Sequence, residues 1–225
     1  MSTFLELVED LHRESGAAGQ APTTVVGQRG EYNRLINWVK DADLYIQDLY
    51  ENWKFQRMAY SEETLVGNKA LPTVQDAAWY DEKTFKIIEN GETEENLIEV
   101  VEYDAIKGEI RDTETNVPYR VIIMPDNTLE VDPVPDAAHT IKCDYYRNAV
   151  EMTGNTDVSV IPERFHKAIL GQALMLYAGY ENAPEIMSQG KNVFGQQIQR
   201  LENSQLPNKF NSRFRTGGEI DVIAE

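Results

Sequence analysis

What this sequence lacks limits what it can be. Its 225 residues hold one cysteine, Cys143, so no intramolecular disulfide can form, which fits a reducing compartment. No stretch approaches the ~20 consecutive apolar residues of a membrane-spanning helix, so no membrane partner is expected. The start, Met1-Ser2-Thr3-Phe4-Leu5-Glu6, lacks the basic-then-apolar layout of a signal peptide. Positive charge is scarce: 21 Lys and Arg stand against 38 Asp and Glu, for a net charge of -17. A protein that grips nucleic acid by neutralising phosphates needs the opposite balance. An acidic wall that surrounds DNA without holding it stays compatible with this charge, and so does plain solubility.

Catalytic signatures are missing as well. There is no G-x-G-x-x-G or G-x-x-x-x-G-K-[ST] phosphate loop, no G-x-S-x-G elbow and no H-E-x-x-H. The histidines, His12, His139 and His166, are far apart in sequence. Glu163-x-x-His166 has the spacing of half a di-iron motif, but no second such pair exists. Helix N-terminal charge and a polar contact between helices or subunits suit these two residues better. Cys143 falls on the apolar face of an expected strand and reads as a buried thiol. The acidic run Glu89, Glu92, Glu94, Glu95, Glu99, Glu102, Asp104 lacks the calcium-loop pattern and reads as a solvated face. No catalytic, cofactor or metal residue is therefore assigned, and the chain reads as a non-enzyme.

What is present is a clear change of periodicity along the chain. Thr3-x-x-Glu6 is a capping box, followed by Leu5, Val8, Leu11 and His12 at helical spacing. A longer helix follows Gly30, with Tyr32, Leu35, Ile36, Val39, Ala42, Ile46, Leu49, Tyr50 and Trp53 on its stripe. After about Met58 short extended runs alternate with Gly and Pro. Asn90-Gly91 is a hairpin dipeptide, and Pro125-Asp126-Asn127-Thr128 is a turn between Tyr119–Met124 and Leu129–Val131. Leu129 and Val131 alternate with Glu130 and Asp132, which predicts one wet face. Helical spacing returns near Pro162, and Asn182 is expected to cap a last helix that Pro207 ends.

The fold class expected is α+β. The N- and C-terminal helices form a bundle, with an inserted antiparallel β-domain (sandwich or small barrel) and an extended C-terminal arm. The expected boundaries are 1–58 and 150–207 for the helical domain, 59–149 for the β-domain and 208–225 for the arm.

Three places suggest contact with other chains. Asp and Glu are absent from Ser15 to Gly30, and within that stretch Thr23, Thr24, Val25 and Val26 favour extended backbone. Such a loop is either a contact surface or a tightly packed connection. Trp38 lies off the main stripe of its helix, as an interface anchor or as packing against the β-domain. In the arm, Phe210, Arg213, Phe214 and Arg215 suit docking on another chain, disorder being the competing view. Trp79 and Tyr80 would be the platform if the β-domain instead bound a carbohydrate or other ligand. An enzyme with a site of scattered carboxylates is a third reading, and nothing singles out a pair for it.

An ordered set of segments resembles the head-to-tail adaptor (connector) proteins of tailed bacteriophages. They are Phe4-Leu5-Glu6-Leu7-Val8, Pro22–Gln28, Arg34-Leu35-Ile36-Asn37-Trp38-Val39, Trp53-Lys54-Phe55, Pro125–Leu129, Tyr145-Tyr146-Arg147, Ile161–His166, Tyr177-Ala178 and Tyr180-Glu181. The resemblance implies a virion protein of the neck, assembled in the host cytoplasm. It implies a ring, typically of twelve copies, between the portal protein and tail or nozzle proteins. Double-stranded DNA would pass through that ring without specific binding. It carries no catalytic residues, and it leaves copy number and tail type open.

Overall fold

The structure, a computed structural model, describes residues 2–108 and 114–207. In chain order its elements are α1 (Phe4–Ser15), α2 (Glu31–Asp48), β1 (Arg57–Glu63), β2 (Ala77–Tyr80), β3 (Lys86–Ile88), β4 (Asn96–Leu97) and β5 (Glu99–Glu102). Then come α3 (Tyr103–Ile106), β6 (Thr115–Asn116), β7 (Arg120–Ile123), β8 (Leu129–Asp132), β9 (Val134–Pro135), β10 (Thr140–Arg147), α4 (His166–Glu181) and α5 (Pro184–Gln205). The fold is α+β. The described chain forms two compact units: one holds the terminal helices, and the other spans Gln56–Ala149.

In the helical unit, α1 opens as its sequence dictates. The Thr3 hydroxyl accepts from the Glu6 amide at 3.3 Å, and the Glu6 carboxylate accepts from the Thr3 amide at 2.8 Å. Gly16 ends the helix in the left-handed conformation. Phe4, Leu7, Val8 and Leu11 are buried against Leu35, Val39, Ala42 and Ile46 of α2 and Ile169, Ala173 and Leu174 of α4 in one core. The stripe expected to reach Trp53 outruns its helix. The helix stops at Asp48, and Trp53 turns back into the core, its indole N–H donating to the Ile46 carbonyl at 3.0 Å.

Asn182 does not start the last helix. It ends α4, in the left-handed conformation that asparagine tolerates, and Ala183 precedes Pro184 at the first position of α5. The two helices cross tightly at two glycines. A Cβ on Gly171 would lie 2.6 Å from the Phe194 amide nitrogen, and one on Gly190 would lie 2.9 Å from the Gly171 carbonyl oxygen.

A buried polar network fastens α2 to the chain returning at Val150. The Gln47 amide donates to the Val150 carbonyl at 3.1 Å and accepts the Val150 N–H at 2.9 Å. The same amide donates to Asp43 at 2.8 Å, and the Ser159 hydroxyl donates to the other Asp43 oxygen. Asp43 is fully buried. Burial raises its pKa to about 6, against the opposing pull of those two hydrogen bonds.

In the other unit β10 is central to a five-stranded sheet. It pairs antiparallel with β1 on one edge and with β2 and β3 on the other, and β3 continues to β4. A second sheet has the order β5-β7-β8. The turn read at Pro125–Thr128 is there: the Met124 amide donates to the Thr128 carbonyl at 2.9 Å, and Asn127 takes φ 64°. Ile141, Cys143, Phe85 and Ile87 of the first sheet share one core with Val121, Leu129 and Val131 of the second. Neither sheet closes into a barrel among the described residues.

Two expectations for this unit need correction. Not every pair is antiparallel: β5–β7 and β6–β9 run parallel. The chain between β5 and β7, residues 103–119, is long enough for the crossover a parallel pair requires. Asp132 is not on a wet face. It is 4% exposed, with the Lys69 ammonium at 3.0 Å and the Arg120 guanidinium at 2.8 Å. A two-residue period shows which face a residue is on, but not whether that face is covered. Cys143 is buried as expected, and burial foremost pushes its thiol up to about 12.

Candidate interaction surfaces

The loop Thr23–Gly27 divides by residue. Val25 is 7% exposed and belongs to the helical core, whereas Val26 is 63% exposed and Thr23 is also exposed. One distant side chain hydrogen-bonds two of the loop residues. Asn155 accepts the Val25 amide at 2.7 Å and the Thr24 hydroxyl at 3.1 Å, and Thr24 in turn accepts the Val26 amide at 3.2 Å. Gly27 and Gly30 leave the loop with φ of 72° and 63°, values that suit glycine. Val25 is packing, and Thr23 and Val26 are displayed.

The Asn155 segment also holds the start of α1. The Phe4 amide donates to the Asp157 carbonyl at 2.7 Å, and the Leu5 amide to the Asn155 carbonyl at 3.3 Å. Asp157 accepts the amides of Thr153 and Gly154, both at 2.7 Å, and these bonds hold its carboxyl below the usual range. Sequence reasoning missed Asn155 and Asp157 as organisers. The turn-forming run Thr153-Gly154-Asn155-Thr156-Asp157 was the signal available.

Trp38 packs against the helical core. It lies within the helical unit, edge-on to Tyr177 at 5.7 Å between ring centres and 5.6 Å from Tyr180. Arg34, one turn earlier on α2, donates to the Tyr180 hydroxyl and lies 4.5 Å above its ring. Tyr180 is 56% exposed. Arg34 and Tyr180 were not singled out in the sequence as contact residues. Arg, Tyr and Trp together are the side chains that anchor protein interfaces, because each adds large contact area and a directional polar group. Phe210, Arg213, Phe214 and Arg215 lie outside the described residues.

The remaining candidates have structural partners. Tyr80 is buried, and Trp79 stacks on Tyr146 at 4.4 Å with planes 8° apart, so this pair is not an open ligand platform. His139 is 2% exposed, accepting the Asn90 amide at 3.2 Å and facing Asp136 at 2.9 Å. His166 is buried and donates from Nε2 to the Ile161 carbonyl at 2.9 Å; burial lowers its pKa. In the acidic run Glu95 sits between Lys86 at 2.6 Å and Lys142 at 3.0 Å, which bring its carboxyl down to about 2. Among the described residues no group of His, Cys, Asp or Glu is arranged to hold a metal ion, and no helix is long and apolar enough to cross a membrane.

The helical unit thus displays an uncharged loop and an aromatic–arginine cluster. The chain belongs to the SU10 adaptor protein family, whose model matches residues 2–216. It is a structural adaptor protein of bacteriophage type, as the resemblance in its segments implies. Curated proteins gave no match.

Proposed function

We propose that this adaptor forms a ring, twelve copies by the family resemblance, between the portal and the tail at the neck of the virion. It surrounds the DNA channel, helps retain the genome and gives the tail its attachment surface. Assembly takes place in the host cytoplasm. The observation that carries this reading is the family match over residues 2–216.

Charge gives the reading a physical use. With -17 per copy, a ring presents a strongly negative wall to DNA, so phosphates find no sticking points and the duplex slides. The same charge makes copies repel, so assembly waits for a partner that compensates it. The isolated chain is then monomeric or weakly associated, and it orders on the portal. Thr23, Thr24 and Val26 of the displayed loop, with Trp38, Arg34 and Tyr180, are the contact residues on the described chain. Val25 acts from beneath by holding the loop in place. The arm 208–225, through Phe210, Arg213, Phe214 and Arg215, is the contact to the portal or the neighbouring copy.

Electron microscopy of the full chain mixed with its cognate portal tests this. The expected image is a ring of added density coaxial with the portal. Portal particles unchanged at saturating adaptor would overturn the proposal.

A further inference from the structure

A cationic pocket lies at the C-terminal end of α5, apart from both surfaces described above. It has a volume of about 540 Å³ and is lined by Arg164, Phe165, Gln197, Arg200, Asn203 and Ser204. Arg164 donates to the Ser204 hydroxyl, and its guanidinium lies 4.6 Å over the Phe165 ring. Lys54 donates to the Ser204 carbonyl at 3.4 Å. Three of the 21 cations of a very acidic chain therefore gather around one helix end, and among the described residues neither arginine forms an ion pair. The flanking acids are Glu163 and Glu202, and Glu202 accepts the Tyr50 hydroxyl at 3.0 Å. Two guanidinium groups, one of them stacked on the buried Phe165 ring, and side-chain amides suit a peptide that carries closely spaced carboxylates.

This chain contains such a peptide close by. Glu219-Ile220-Asp221-Val222-Ile223-Ala224-Glu225 carries three acids among aliphatic residues, follows Gly217-Gly218, and lies past the family match, which ends at Thr216. Arg200, Asn203 and Ser204 sit in the last turns of α5, immediately before the chain runs on toward that segment. About a dozen intervening residues span up to roughly 40 Å when extended, far more than the return requires. A tether of this length gives an effective concentration on the order of millimolar. In dilute protein that favours the segment's own pocket over a neighbour's.

We infer that Glu219–Glu225 docks back into the Arg164–Arg200 pocket of its own chain. The carboxylates of Glu219 and Asp221 meet the two guanidinium groups. The inference stands independently of the adaptor reading.

Hydrogen exchange on the full chain tests it. Amides of 219–225 are expected to exchange at least ten-fold more slowly in the native chain than in a Glu219→Gln, Asp221→Asn, Glu225→Gln variant. Protection should fall in 0.5 M salt and on adding a synthetic peptide of residues 217–225. Arg164→Glu with Arg200→Glu should abolish it. Adding Glu219→Lys and Asp221→Lys to that pair should restore it, which separates charge pairing from loss of fold. Unprotected tail amides in the native chain would overturn the inference. So would protection that survives the double arginine change, or protection that appears only as protein concentration rises, since the last assigns the pocket to a second copy.

Discussion

Asn155 holds the Val25 amide at 2.7 Å across 130 residues of sequence, at the point where the loop passes from the buried Val25 to the displayed Val26. Asn155→Ala leaves the Val25 N–H without its acceptor in a largely buried place. The expected loss is about 1–3 kcal/mol. Urea unfolding should show it as a lower midpoint with an unchanged slope. A midpoint equal to that of the native chain would mean the loop is held by other contacts.

The displayed side of the loop is separable from its packed side. Val26→Asp places a charge on a residue already 63% exposed, so the fold should be unaffected within about 0.5 kcal/mol. Tyr180→Ala removes the outer member of the aromatic–arginine cluster. Each variant is expected to weaken association with the portal, or between copies, at least ten-fold in a titration. Native affinity in both variants would remove these residues from the interface.

The α4–α5 crossing predicts a fold defect that leaves surface chemistry alone. Gly171→Ala drives a methyl to within 2.6 Å of backbone at Phe194, and backbone cannot rotate away as a side chain can. The helices must separate, at a cost of about 1–3 kcal/mol. Thermal unfolding should show a loss of several degrees. By contrast Gly195→Ala, where nothing lies near the added carbon, should be neutral or slightly stabilising.

The buried carboxyl of Asp43 makes stability fall with pH over a defined window. Its pKa is about 6 in the fold and about 3.9 in an unfolded chain, so between these values the folded state keeps a proton that the unfolded state releases. The stabilising effect is complete below about pH 4 and is lost by pH 6, roughly 3 kcal/mol in all. His166 acts in the opposite sense: its folded pKa is depressed, so its effect is complete above about 6.5 and is lost as pH falls through the folded value. Asp43→Asn should abolish the decline and leave the rise due to His166. Urea titrations from pH 4 to pH 7 check this, and parallel pH profiles for the two proteins would contradict it.

The features legible in the sequence were local ones. Thr3 and Glu6 form a capping box because both partners lie within one helical turn. Asn127 and its neighbours form a turn because the four residues suffice for it. Partnerships across the chain carried no such signal. Nothing near Asp132 announces Lys69, 63 residues away, and nothing near Trp38 announces Tyr180. Asn182 is ambiguous for a different reason. Between two helices an asparagine suits either the end of one or the start of the next, and only backbone geometry decides between them. The family was readable before the fold because many weak segments in a fixed order are jointly specific, although each alone is not.

Sedimentation velocity of the full chain, alone and with its cognate portal, tests the central claim most directly. The account predicts a light species alone, near the mass of one or a few copies, and a stoichiometric ring complex when portal is present. A monomer that ignores the portal at every concentration would contradict it.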